Sequence, residues 1–122
     1  MAKRPVTILR EARRLLAGGW CRLHLRRRVK GQTQYCAQAA ISMAATGRLW
    51  EFEPFMEPVY AILEPLALQA DPEIGPDVAC PLSLFNDKHT QAEVLALFDQ
   101  AIQKAGDRRE GHSEPGTTGL SD

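Results

Sequence analysis

The side chains able to do chemistry in this chain fall into three groups. Cys36 opens the alanine-rich stretch Tyr35-Cys-Ala-Gln-Ala-Ala-Ile-Ser-Met-Ala-Ala45. A thiol at a helix N-terminus sits in the positive end of the macrodipole, which favours the thiolate. A nucleophilic thiol also needs a base and an orienting group, for which the chain offers His24 or His89 with Asn86 or Asp87. The neighbours Tyr35, Ala37, Ala39 and Ala40 suit core packing instead, so a buried structural thiol is the preferred reading and a thiol-dependent site around Cys36 the alternative. Cys21-x-x-His24 with Cys36 and Cys80 supplies four nitrogen and sulfur ligands, the number structural zinc takes, but without the second close pair that zinc folds use. The expectation is therefore no metal, no cofactor and no catalytic residue.

The second group is cationic. Arg22, Arg26, Arg27, Arg28 and Lys30 crowd one short stretch, and Arg10, Arg13 and Arg14 precede it. Residues 1–48 hold eleven Lys or Arg against the single acid Glu11, a balance of +10, so the remainder of this net-neutral chain carries −10. A chain so divided can pair its own halves, offer a basic face to an anionic partner, or associate head to tail with a copy of itself. Phosphates could meet the arginines, with Trp20 or Tyr35 stacking on a base. The sequence shows no helix-turn-helix, RNA-recognition or zinc-finger pattern, and the acidic half would repel a polyanion unless it faced away. An unidentified protein partner is therefore favoured, with a nucleic-acid-binding module as the alternative and a homo-oligomer left open.

The third group is Asn86-Asp87, after the apolar Leu84-Phe85 and ahead of a strongly signalled helix. Such side chains bond nearby amides and fix turns. The sharper expectation puts Asp87 across from the basic stretch or from the N-terminus of the Tyr35 helix.

Helices must position these groups. Ile8, Leu9, Ala12, Leu15 and Leu16 form one stripe at the 3.6-residue period, predicting a helix over Thr7 to Ala17, capped by Thr7 and stopped by Gly18-Gly19. Trp20 to Leu25 alternates, placing Cys21, Leu23 and Leu25 on one side of an extended segment. Gly31 turns the chain, and Gln32 to Gln34 return as a second short strand. The Tyr35 to Ala45 helix, apolar on nearly every face, should be central and end at Thr46-Gly47. After an acidic, irregular stretch from Trp50, Pro54 or Pro58 opens a third helix carrying Val59 to Leu68, which Pro65 should kink or split. Leu82 to Asp87 reads as a short apolar approach ending in a turn. Thr90-Gln-Ala-Glu93 is a capping box for a last helix that stops at Gly106.

With 122 residues, 44% apolar and 25% charged, the chain suits one globular core. No apolar run approaches the roughly 20 residues a membrane span needs. The start Met-Ala-Lys-Arg-Pro lacks a signal-peptide core, and three cysteines without one argue for reduced thiols and a cytoplasmic location. The reading is a mainly α, compact domain over residues 1–106 of about four helices, with a small basic β-hairpin or extended loop between helices 1 and 2, and a flexible polar tail over 107–122.

Gly19-Trp20-Cys21, then Tyr35-Cys36-Ala37-x-x-Ala40, then Phe85-Asn86-Asp87, and Thr90-x-x-Glu93-Val94-x-x-Leu97-x-x-Ala101 carry a resemblance. In that order and spacing the chain resembles a family of small bacterial, often actinobacterial, and phage proteins of unknown function (domain of unknown function 6197), over about residues 7–105. Phe85 stands where the family usually carries Trp, and the stretch between Trp20 and Tyr35 is unusually rich in arginine. The resemblance brings no activity and no histidine partner for Cys36. It implies a bacterial or phage origin and that Trp20, Cys36, Asn86 and Asp87 form a shared site or a shared core; the functional expectation, drawn from the residues as a whole, is a non-enzymatic interaction or accessory protein. Its geometric content is that Cys36 is mostly buried, with Asn86 or Asp87 near the loop that begins at Trp20 or near the start of the Tyr35 helix.

Overall fold

The structure, a computed structural model, describes residues 3–49, 56–75 and 77–111, with side chains to residue 106. The acidic stretch from Trp50 to Pro54 and the tail beyond Gly111 lie outside the described residues. The order is α1 Pro5–Gly18, β1 Arg26–Val29, β2 Gln32–Tyr35, α2 Ala37–Thr46, α3 Glu57–Ala70, α4 Pro81–Lys88 and α5 Gln91–Gly111, with a single 3-10 turn at Pro72–Ile74 between α3 and α4. The fold is mainly helical with a two-stranded hairpin between the first two helices. Among the described residues it has five α-helices rather than about four.

The extra helix is α4. Its eight residues are too few for periodicity to announce, yet Leu82, Phe85 and Asn86 recur at i, i+3 and i+4 and are all buried. Asn86 and Asp87 therefore sit on a helix rather than in a turn.

Helix α1 starts at Pro5, two positions ahead of the expected Thr7 cap, because proline is pre-organised for a first helical position. Its stripe is buried as expected, with Val6 added and Leu15 only partly covered. Helix α2 starts at Ala37, with Cys36 as its N-cap, and ends at Gly47, whose φ of 79° is the left-handed C-cap that glycine favours. Helix α3 runs unbroken through Pro65. Proline removes one hydrogen bond, but Pro65 and Ala61, whose carbonyl loses its partner, are both exposed, so water can satisfy it. The capping box of α5 is formed: Glu93 N donates to Thr90 Oγ1 at 3.2 Å and Thr90 N to Glu93 Oε1 at 3.0 Å. The helix then continues past Gly106 to Gly111.

Helix α1 packs against α2 and α5, and α3 packs against α4 and α5. Ile8, Leu9, Leu16, Ile41, Leu63, Leu82, Leu97 and Phe98 are fully buried at their junction. The alanines of α2 let its neighbours approach its backbone, and six of its ten residues are buried. No helix among the described residues is long and apolar enough to cross a membrane.

Candidate functional site

The hairpin is held to the helices by a second edge. Strands β1 and β2 are antiparallel, with Arg26 opposite Tyr35 and Val29 opposite Gln32. The other side of Tyr35 pairs with the chain leaving α1: Tyr35 N donates to Gly19 O at 2.9 Å and Cys21 N donates to Tyr35 O at 3.1 Å. Gly19 is extended, so its role is steric. A Cβ there would lie 2.3 Å from Thr33 O, which explains the glycine before Trp20. Beyond Cys21 the expected alternation fails. Leu23 takes a φ of 65° and its side chain is 77% exposed, because the chain must bend to bring Leu25 O to Cys36 N.

Beneath this edge lies Asn86, 1% exposed. Its Oδ1 accepts from Trp20 Nε1 at 2.8 Å and from Ala37 N at 3.0 Å. Its Nδ2 donates to Cys21 O at 3.1 Å and to Asp87 Oδ1 at 3.3 Å. An asparagine amide has two lone pairs and two N–H groups, and all four are used. Ala37 N is the first orphan amide of α2, and Cys36 Sγ accepts from Ala39 N at 3.4 Å, so these two side chains finish the start of that helix. Asp87 Oδ1 also accepts from Leu23 N at 2.9 Å and thereby holds the left-handed bend. The structure thus brings Trp20, Cys36, Asn86 and Asp87 together around the N-terminus of α2, joining α4 to the chain that enters the hairpin.

Cys36 and Asn86 are buried in this knot, while Trp20 and Asp87 are partly exposed. Cys36 is buried, and burial pushes its thiol up, against the lowering pull of the amides of Ala39 and Gln38. Burial also raises the Cys21 thiol, with the nearby Cys36 thiol adding to the rise, and burial raises Cys80. Raised thiols stay protonated and are poor nucleophiles. His24 is exposed, and its carbonyl accepts from Cys21 Sγ at 3.4 Å, while its ring is bonded to no described residue. Among the described residues no group of three His, Cys, Asp or Glu side chains is arranged to hold a metal ion, so Cys21, His24, Cys36 and Cys80 do not form a zinc site.

Sequence reasoning missed a second polar cluster. His89, at the end of α4, has Nε2 2.8 Å from Asp71 Oδ2 and Nδ1 2.9 Å from Glu93 Oε1, with its ring stacked on Phe85 at 4.0 Å. Lys88 Nζ lies 3.0 Å from the same Asp71 oxygen. The bonds from His89 and Lys88 hold the Asp71 carboxyl below its usual range, and those from Thr90 and His89 do the same for Glu93. The i, i+4 spacing of His89 and Glu93 was visible in the sequence. Asp71 was not, since only the 3-10 turn brings it there.

Of the basic residues, Arg22 is a brace. It donates from Nε and Nη2 to His89 O at 3.2 and 2.8 Å, and its guanidinium lies 5.2 Å over the Trp20 ring. Arg27 bonds Gln34 Oε1, and Arg28 bonds Thr33 Oγ1 and Gly31 O, all neutral acceptors. Arg26 and Lys30 bond no described side chain, and all five are exposed. The ion pairs among the described residues are made elsewhere, by Lys3, Arg13, Lys88 and His89, and only Arg13 to Asp99 joins the basic half to the acidic half.

No curated protein and no solved structure matches this chain. One family model does, over residues 1–104, a span that takes in the hairpin, the Asn86 knot and the first two thirds of α5. The chain belongs to the family of unknown function DUF6197.

Proposed function

We propose that this protein is a non-enzymatic interaction or accessory protein that binds an acidic protein partner through its basic hairpin. The observation that carries the proposal is strand β1, exposed along its whole length, flanked by exposed Arg22 and Lys30, with no described carboxylate paired to any of these cations. Uncompensated like charges held together on one strand repel one another, a cost that an anionic partner would relieve. The Asn86 knot supports the non-enzymatic reading, because the buried Asn86 amide spends all four of its hydrogen-bonding positions on Trp20, Cys21, Ala37 and Asp87. Free cysteines and the absence of a described membrane-crossing helix suit the cytoplasm of a bacterial or phage-infected cell, the setting the family resemblance implies.

Nucleic acid is the alternative partner. Against it, the Trp20 indole N–H is bonded to Asn86 and one face of its ring is covered by Arg22, which removes the best stacking surface near the arginines. Fluorescence anisotropy with labelled poly-L-glutamate and with an oligothymidylate of matched charge decides between them. We expect poly-L-glutamate to bind at least as tightly, with affinity falling steeply from low to moderate salt. Clearly tighter binding of the oligonucleotide would transfer the site to nucleic acid, and binding of neither would end the proposal.

A further inference from the structure

The hairpin's outer edge carries a more specific feature than charge. Lys30 and Gly31, with φ of 51° and 78°, form the two-residue turn that matches strand twist, so the closing pair Val29 and Gln32 exchanges both ladder hydrogen bonds. Alternation then makes Arg27 and Gln34 the next bonded pair and leaves Arg28 opposite Thr33 and Arg26 opposite Tyr35 as non-bonded pairs. The backbone of Tyr35 agrees, since both its N–H and its C=O turn away from β1 toward Gly19 and Cys21. It follows that the N–H and C=O of Arg26 and of Arg28 point outward from β1. Neither residue appears in the backbone hydrogen bonds made outside the hairpin.

We infer that β1 is a strand-addition edge that receives an acidic extended segment of a partner protein, pairing through the backbone of Arg26 and Arg28. This rests on the proposed acidic-partner reading and deepens it. An added strand would gain both N–H donors and both C=O acceptors, while its side chains alternate above and below. Arg26 and Arg28 share one face, so the occupant places carboxylates at alternate positions there, where opposite charges across strands attract. The other face offers Arg27 and the partly exposed Val29, which suits an intervening apolar residue. A second copy of β1 is excluded as occupant by the same chemistry, because it would set arginine against arginine.

The test uses the full chain with an alternating Glu-Val peptide and a charge-matched analogue N-methylated at every amide. Amide hydrogen exchange read by NMR should slow at Arg26 and Arg28 when the Glu-Val peptide binds, with little change at Arg27 and Val29, which are already bonded. The N-methylated analogue should bind roughly tenfold more weakly or worse. Arg26→Glu with Arg28→Glu should lose the Glu-Val peptide, and circular dichroism checks that this variant is folded. Equal binding of the two peptides, with no protection at Arg26 and Arg28, overturns strand addition and leaves the acidic-partner reading standing. No binding of either peptide or of poly-L-glutamate overturns both. Concentration-dependent dimerisation in sedimentation equilibrium that the double variant abolishes would overturn the inference by giving the edge to a second copy.

Discussion

Asn86 shows how one amide can hold three elements. Its four hydrogen bonds reach Trp20, Cys21, Ala37 and Asp87, and its own side chain is 1% exposed. Asn86→Ala leaves the Trp20 N–H, the Ala37 N–H and the Cys21 carbonyl without their partner, and each such loss costs about 1–3 kcal/mol. Chemical denaturation of this variant should show a loss of roughly 3 kcal/mol or more. A loss below about 1 kcal/mol would mean that the knot is not what joins α4 to the hairpin. His89 is a different case, since both of its ring nitrogens face carboxylates and a neutral imidazole has only one N–H to give. Both bonds are therefore made at once when the ring is an imidazolium. The Asp71 and Glu93 carboxyls are lowered in the folded state, so they contribute stability above the ordinary carboxyl range, near pH 4, that is lost as pH falls through their lowered values. His89→Gln removes the largest cause of the Asp71 shift. Acid unfolding followed by circular dichroism should then begin at a higher pH than in the parent chain, and an unchanged acid transition would show that the cluster contributes nothing to acid resistance.

At the scale of elements, what was legible in the sequence depended on how local its cause was. The α1 stripe, the Thr90 and Glu93 box, the left-handed stop at Gly47 and the turn at Gly31 are each decided within a few residues, and each was readable. Helix α4 was not, because eight residues give barely two turns of periodicity and its helical state is settled by burying Leu82 and Phe85. The Leu23 bend was misread as strand because the groups that set and hold it, Cys36 N bonded to Leu25 O and the Asp87 carboxylate bonded to Leu23 N, are remote in sequence. The residues of the knot could be picked out by type, yet four of their six hydrogen bonds end on backbone atoms, of Cys21, Leu23, Ala37 and Ala39, which no side-chain pattern encodes. Gly19 gives the clearest test of how the hairpin is seated. Gly19→Ala drives a methyl into Thr33 O, and since the obstruction is backbone rather than a flexible side chain, we expect a cost of about 1–3 kcal/mol by thermal or chemical denaturation. Gly18→Ala, which meets nothing within 4 Å, serves as the control and should fall within about 1 kcal/mol of the parent.

At the scale of the whole molecule, one ion pair among the described residues joins the basic half to the acidic half. Arg13 and Asp99 tie α1 to α5, while Lys3 to Glu11 and Lys88 to Asp71 each pair within their own half. The cations of β1 are left facing solvent on an element that contributes no buried side chain, so binding and stability can be separated there. Partners met through such a patch respond to salt and to charge reversal, whereas the fold, resting on Ile8, Leu9, Leu63, Phe98 and the Asn86 knot, does not. The most direct measurement compares poly-L-glutamate binding by the parent chain and by Arg26→Glu with Arg27→Glu at low salt, alongside their thermal melts. The account predicts that binding is lost while the melting temperature moves by no more than about 5 °C, as expected for exposed substitutions. A variant that binds as the parent does, or a parent chain that does not bind, would contradict it.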